Sequence, residues 1–159
     1  NYETKAAVAR ILNELQTEYV DLVLLHAPSH RHKNIAAWQA LERAFAEGKV
    51  KAIGVSNFAP HHFEELKQDG ARITPMNNQI SMHPGEPQSE TIEYCNEHGI
   101  SITAFNSVKG QKAVPGGRKL VEAVADKHGI TPVQVLLRWG VDQGVSVIPG
   151  CTSREHIKE

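Results

Sequence analysis

The sequence predicts an α/β protein built on a parallel sheet of five strands. Three observations lead there. Short β-rich runs begin near residues 20, 50, 76, 100 and 145, with helical patterns between them. No turn signal suggests a hairpin between any consecutive pair of runs. Each strand is therefore followed by a helix and another strand, which implies parallel pairing through right-handed crossovers. A doubly wound sheet and a β/α barrel both satisfy this pattern. No G-x-G-x-x-G follows any strand, which counts against a Rossmann site.

The elements follow in order. Val8, Ile11, Leu12 and Leu15 recur at helical spacing. Residues 20–25 form a near-continuous apolar run, the pattern of a strand buried on both faces. Ile35, Trp38, Leu41 and Phe45 make the next helical stripe, and Gly48 stands where that helix should stop. A strand over 50–55 leads to a helix opened by Pro60, carrying Phe63 and Leu66 on one side and ended by Gly70. The strand over 76–80 is weaker in propensity, because Asn77 and Asn78 disfavour β structure. Pro87 opens a helix that Gly99 ends, and a strand over 100–105 follows. Leu120, Val121 and Val124 mark another helix, ending near Gly129. Thr131-Pro132-Val133-Gln134 is a strong helix start: Thr at the N-cap, Pro at the first helical position, Gln closing a capping box. Gly144 ends that helix before a last strand over 145–148.

Composition limits the function classes. The chain has 159 residues, 40% of them hydrophobic and 22% charged, with a formal net charge of −1. That length supports one domain with a core. The near-neutral charge offers no electrostatic case for a nucleic-acid or membrane partner, and no apolar run approaches the length of a membrane span. The first residues carry no signal-peptide pattern, and Cys95 and Cys151 do not make a disulfide framework. A reducing compartment, the cytoplasm, is the expectation. Nothing in the sequence specifies an oligomeric state.

In β/α barrels the chemistry sits where the strands end. The first run ends at His26, the second at Ser56-Asn57, and the third carries Gln79 with Ser81 and His83 just beyond. The fourth ends at Phe105-Asn106-Ser107, and the fifth at Pro149-Gly150-Cys151-Thr152-Ser153. There is no carboxylate pair for glycosidase chemistry and no three-His metal set. Ser, Asn and Gln supply the donors and acceptors a carboxamide needs, and Phe105 a face on which a ring can stack. Thr152-Ser153-Arg154-Glu155 is a second capping-box pattern, and a helix N-terminus suits a phosphate. Together these residues suit a pyridine dinucleotide.

Blander readings stand beside these. His26 could be a satisfied structural histidine. Ser56-Asn57 could cap the helix opened by Pro60. Gln79 could bond within the sheet, and Phe105 could belong to the core. His30-Arg31-His32-Lys33 has the look of a metal or anion site, yet two ligands in a polar loop are too few for a metal. His61, His62 and His98 read as surface helix residues. Cys151, near a helix start, could have a lowered thiol pKa, although packing in the loop explains it as well.

Four segments resemble the aldo-keto reductases: Asp21-Leu22-Val23-Leu24-Leu25-His26; the run from Gly48 through Ser56-Asn57-Phe58; Asn78-Gln79-Ile80 with His83-Pro84; and Val147-Ile148-Pro149-Gly150. They occur in the family's order and cover essentially the whole chain. The resemblance implies a partial TIM-type (β/α)8 barrel comprising strands 4–8, so that residues 1–159 are a single incomplete barrel domain. It implies an oxidoreductase that uses NADP(H), or less often NAD(H), to reduce a small aldehyde or ketone to an alcohol.

By the same resemblance, His26 corresponds to the active-site histidine that orients the substrate carbonyl. Ser56, Asn57 and Gln79 correspond to the set that binds the nicotinamide carboxamide. Phe105 takes the place of the stacking aromatic, usually Tyr. Asn106 and Val108 begin the loop over the pyrophosphate, and residues 109–117, with three glycines and a proline, suit a mobile cover. Gly150, Cys151, Thr152, Ser153, His156 and Glu159 fall at the adenosine-phosphate end. The family often has Lys where Gly150 stands and Arg where His156 stands, residues that grip a ribose 2′-phosphate. Their absence puts the preference for NADP(H) in doubt, although Arg154 supplies a nearby guanidinium.

The family's catalytic set is Asp, Tyr, Lys and His, and only His26 matches within this sequence. The tyrosines present do not replace the general acid: Tyr2 is near the terminus, Tyr19 precedes a strand and Tyr94 lies within a helix. Loss of such an acid removes roughly 10²–10⁴-fold from proton transfer. The expectation is therefore a portion of a longer gene product, inactive by itself and with unpaired sheet edges. A non-catalytic, cofactor-binding relative that regulates a protein partner, as potassium-channel β-subunits do, is the alternative. A phosphate-binding isomerase or aldolase is disfavoured, because no strand end carries a Schiff-base Lys or an acidic base.

Overall fold

The computed structural model describes residues 2–109, 116–151 and 153–158. Strand and helix alternate as the sequence predicts. The elements are α1 (Tyr2–Leu15), β1 (Val20–Leu25), α2 (Arg31–Ala46), β2 (Val50–Ser56), α3 (Pro60–Gln68), β3 (Asn77–Ser81) and α4 (Ser89–Glu97). They continue with β4 (Ser101–Phe105), α5 (Gly117–His128), α6 (Pro132–Asp142), β5 (Ser146–Val147) and α7 (Arg154–Lys158). The sheet runs β1-β2-β3-β4-β5, with β1–β2 and β4–β5 paired in parallel. Among the described residues, no helix is long and apolar enough to cross a membrane. The chain packs as two compact units, Asn1–Asn78 with Glu93–Ser101, and Gln79–Ile92 with Ile102–Glu159.

In the first unit Val8, Trp38, Leu41, Val50, Ile53, Val55, Phe63 and Leu66 are buried. The helical stripes predicted for α2 and α3 thus face the core, although Leu15 at the end of the first stripe is exposed. Trp38 keeps its polar atom satisfied, its Nε1 donating to Ile73 O at 3.1 Å. Gly48 ends α2 in the left-handed region, φ 72°, and Gly48 N and Lys49 N donate to the carbonyls of Phe45 and Ala44. Gly54 permits a close strand approach: a Cβ there would lie 2.5 Å from Asn77 O and 2.7 Å from Leu24 Cδ2. Asn78, fully buried in β3, bonds both backbone groups of Phe58, accepting from its N–H at 3.3 Å and donating to its carbonyl at 2.9 Å. Those bonds explain why asparagines of low β propensity occupy a strand here.

In the second unit Thr103 pairs with Ser146 and Ala104 with Val147. The predicted capping box of α6 forms: Gln134 N donates to Thr131 Oγ1 at 3.2 Å, and Thr131 N to Gln134 Oε1 at 2.9 Å. Gly140 lets α6 approach β5 closely, since a Cβ there would lie 2.7 Å from Val147 Cγ1. Val121, Ala125 and Leu136 are buried, whereas Leu120 of the predicted α5 stripe is 66% exposed.

Three details differ from expectation. β1 is not buried on both faces: Leu22 is 42% exposed, because β1 ends the sheet and pairs only with β2 among the described residues. α4 begins at Ser89, not at Pro87, because Gln88 stands in a left-handed conformation, φ 55°, through which a right-handed helix cannot run. β5 is confined to Ser146–Val147, within the predicted 145–148.

Candidate active site

The first unit places His26, Ser56 and Asn57 at adjacent strand ends. Leu25 and Val55 are register partners, so His26 and Ser56 follow paired residues out of the sheet. His26 is exposed. Its loop is braced by the buried Asn34, whose carboxamide accepts from Ser29 N at 2.8 Å and donates to Ser29 O at 3.1 Å. Arg31 is bound within the fold. It forms a two-pronged ion pair with Asp69, both contacts 2.8 Å, and opens α2.

Ser56 is the buried last residue of β2, and Asn57 follows it exposed, at φ 58°. Asn57 Nδ2 donates to Ser56 Oγ at 3.1 Å. Neither residue is the N-cap of α3. The N-cap is Ala59, and its N–H donates to His62 Nδ1 at 3.0 Å. His62 is therefore more than a surface residue. Burial holds its pKa below the usual value, with the His61 charge adding to the effect and Glu65 opposing it. Phe58, anchored by Asn78, fixes the chain immediately after Asn57.

The second unit contains Gln79, Phe105, Asn106 and Val108. Gln79 lies half-buried within β3, and Phe105 closes β4, also half-buried. Met82 N donates to Phe105 O at 3.1 Å. Asn106 follows at φ 59°, and its Nδ2 donates to Ser81 Oγ at 3.2 Å. Ser107 Oγ turns back to Ala104 O at 3.1 Å, and Val108 is half-buried beside it in sequence. Of the proposed cover, residues 110–115 lie outside the described residues.

After β5 come Gly150 and Cys151, both exposed, with Cys151 Sγ donating to Ser153 O at 3.0 Å. Ser153 Oγ accepts from His156 N at 3.2 Å and so caps the exposed five-residue α7. The sequence pattern assigned that cap to Thr152, which with Glu159 lies outside the described residues. The hydrogen bond of Cys151 fits a packing role in this loop.

Tyr94 is engaged within the first unit. It stacks between Phe63 and His98, its hydroxyl donates to Glu64 at 2.7 Å, and burial followed by the Glu64 contact raises its pKa well above the usual range. Tyr19 lies ahead of β1 with the Lys51 ammonium 3.5 Å above its ring. A cavity of about 140 Å³ lined by Phe63, Leu66, Tyr94 and His98 also touches Pro75 and Ile100, which precede β3 and β4. Its lining includes none of His26, Ser56 and Asn57. Among the described residues, no group of three or more His, Cys, Asp or Glu gathers for a metal.

The supports Asn34, His62, Asn78 and Gln88 were not legible as such. A polar residue inside an apolar pattern, as Asn78 is, was the one available signal.

Residues 2–159 match the family model described as the aldo/keto reductase family. The chain belongs to the aldo/keto reductase family. It is 40% identical to a 9,11-endoperoxide prostaglandin H2 reductase of Trypanosoma cruzi, over 99% of this chain and 55% of that protein. It is likewise 40% identical to a glyoxal reductase of Bacillus subtilis, over 99% of this chain and 56% of that protein. A crystal structure of an aldo/keto reductase from Brucella melitensis superposes with a TM-score of 0.88 at 33% identity, covering 98% of this chain and 59% of that one. This aldo/keto reductase chain thus spans about half the length of the curated relatives it matches. Its five parallel strands with flanking helices are part of the family's β/α barrel.

Proposed function

We propose that this chain, residues 1–159, is the cofactor-side part of one barrel domain of an NAD(P)(H)-dependent oxidoreductase that reduces a small aldehyde or ketone to an alcohol. The observation that carries the reading is the register of β1 and β2, which sends His26 and Ser56 out of neighbouring parallel strand ends. In this reading His26 donates a hydrogen bond to the substrate carbonyl oxygen and orients it. Ser56, Asn57 and Gln79 read the nicotinamide carboxamide. The donor set fits the group: Asn57 commits one N–H to Ser56 and retains a carbonyl acceptor of its own for a flat amide. Phe105 offers the stacking face, Asn106 and Val108 begin the pyrophosphate cover, and Gly150, Cys151, Thr152, Ser153, His156 and Glu159 line the adenosine-phosphate end. The bound cofactor, NADP(H) or NAD(H), supplies the hydride. The general-acid tyrosine belongs to a part of the protein beyond this sequence, and the 159-residue chain alone turns over no substrate. The buried Cys95 and exposed Cys151, both free thiols, suit a reducing compartment such as the cytoplasm.

The test uses the full-length protein, with NADPH and NADH oxidation followed on a panel of small aldehydes, including the dicarbonyls for which its relatives are named. The expected result is turnover that falls roughly 10²-fold or more in His26→Ala, with cofactor affinity retained. Cofactor binding without turnover across the panel would overturn the reductase reading in favour of a non-catalytic relative.

A further inference from the structure

One side chain closes the loop between β3 and α4. Gln88 takes a left-handed backbone conformation, φ 55°, which a residue bearing a Cβ adopts at a cost. Its Nε2 donates to Ser81 O at 3.3 Å and to Glu86 Oε1 at 3.1 Å. The side chain thus folds back onto the last residue of β3. Within the loop, His83 N donates to Glu86 O at 3.3 Å and Glu86 N to His83 O at 2.7 Å, so the turn is already closed by its own backbone.

Ser81 is held at both of its ends. Its carbonyl accepts from Gln88, and its Oγ accepts from Asn106 Nδ2 at 3.2 Å. Asn106 is itself left-handed, φ 59°, and directly follows Phe105. A relay therefore runs from Glu86 through Gln88 and Ser81 to Asn106.

Gln88 stands at the N-cap position of α4, its carbonyl accepting from Ile92 N at 2.9 Å, but its side chain is turned elsewhere. An N-cap residue typically sits in the extended region and offers a side-chain oxygen to the N–H groups of the first turn. Gln88 is left-handed and turns its N–H donor away from α4, toward the strand end.

Resting on the reading of Phe105 and Asn106 as cofactor-facing, we infer that Gln88 is a positioning residue for cofactor binding. It touches no cofactor. It fixes Ser81, whose hydroxyl orients the Asn106 carboxamide and with it the start of the pyrophosphate loop.

The test compares full-length wild type with Gln88→Glu, Gln88→Lys and Ser81→Ala, reading cofactor Kd by quenching of protein fluorescence, KM and kcat for the cofactor, and Tm. Gln88→Glu keeps the shape but presents a carboxylate to Ser81 O and Glu86. Its Kd and cofactor KM should rise about 10-fold, from the loss of the donor and the new repulsion, with a smaller change in kcat. Gln88→Lys restores a donor and should recover most of the affinity. The double variant of Gln88→Glu with Ser81→Ala should bind no more weakly than the worse single variant, because both break one relay. Unchanged Kd in Gln88→Glu, or full additivity in the double variant, would overturn the inference. A lower Tm with Kd and KM unmoved would do the same. If Gln88→Glu does not fold, Ser81→Ala decides alone, and an unchanged Kd there overturns it. Failure of the wild type to bind either cofactor would instead overturn the proposed function on which this rests.

Discussion

Asn57 Nδ2 donates to the hydroxyl of Ser56 at 3.1 Å from a backbone held at φ 58°. The residue before it ends β2, and the one after it is locked by Asn78, so the turn is fixed on both sides. Local strain of this kind persists only where the surroundings over-determine it, and such places concentrate at functional sites.

Replacing Asn57 separates strain from recognition. Asn57→Gly relieves the left-handed backbone and should leave Tm within a few degrees, while cofactor Kd rises about 10-fold from the lost carboxamide. Asn57→Ala should raise Kd equally and lower stability by about 1 kcal/mol more than Gly does. Thermal melts with cofactor titrations check this. Equal stability of the two variants would remove strain from the account, and unchanged Kd in both would remove Asn57 from the site.

Gly54 tests how the β2 end is placed. Its missing side chain lets Asn77 O and Leu24 Cδ2 come close, where a Cβ would lie 2.5 Å and 2.7 Å away. Gly54→Ala must therefore push backbone apart two residues before Ser56. Denaturant unfolding should show a loss of about 1–3 kcal/mol, and cofactor affinity should fall with it. Wild-type stability would show that the strands yield freely there.

His62 carries a pH dependence of known sign. Burial, helped by the His61 charge and opposed by Glu65, lowers its folded-state pKa below the ordinary 6.5. The cap requires the same neutral form, since Nδ1 must keep its lone pair to accept from Ala59 N. As pH falls the unfolded chain binds the proton first, so this stability is present above about pH 6.5 and is lost as pH falls through the folded-state pKa. His62→Gln keeps an acceptor at the third helical position without titrating. Urea melts should show matching stability at about pH 8 and a shallower acid loss in the variant. An unchanged slope between about pH 7 and 5 would count against His62 as the titrating group.

The proposed adenosine-phosphate end should respond to charge. α7, which carries His156, is exposed and capped by Ser153. His156→Arg should tighten NADP(H) binding about 10-fold through charge-assisted bonding to the 2′-phosphate and leave NAD(H) binding unchanged. Equal effects on both cofactors would show that residue 156 does not read that phosphate.

Short-range signals were readable from the sequence itself. Thr131 and Gln134, three residues apart, specify the start of α6, and Gly48 the end of α2, because a cap is a bond within one helical turn. Alternating apolar periodicities likewise determined the strand–helix order, and the residues past each run nominated His26, Ser56, Asn57 and Phe105. Tertiary structure alone decided what holds them. Leu22 stays exposed because β1 ends the sheet, α4 starts late because Gln88 folds back on Ser81, and α3 is capped by His62 instead of Ser56 or Asn57. Asn78 reaches Phe58 across 20 positions of sequence, and no periodicity records such a bond. Local sequence encodes the conformations a segment prefers; which polar side chain finds which partner depends on segments the fold brings together.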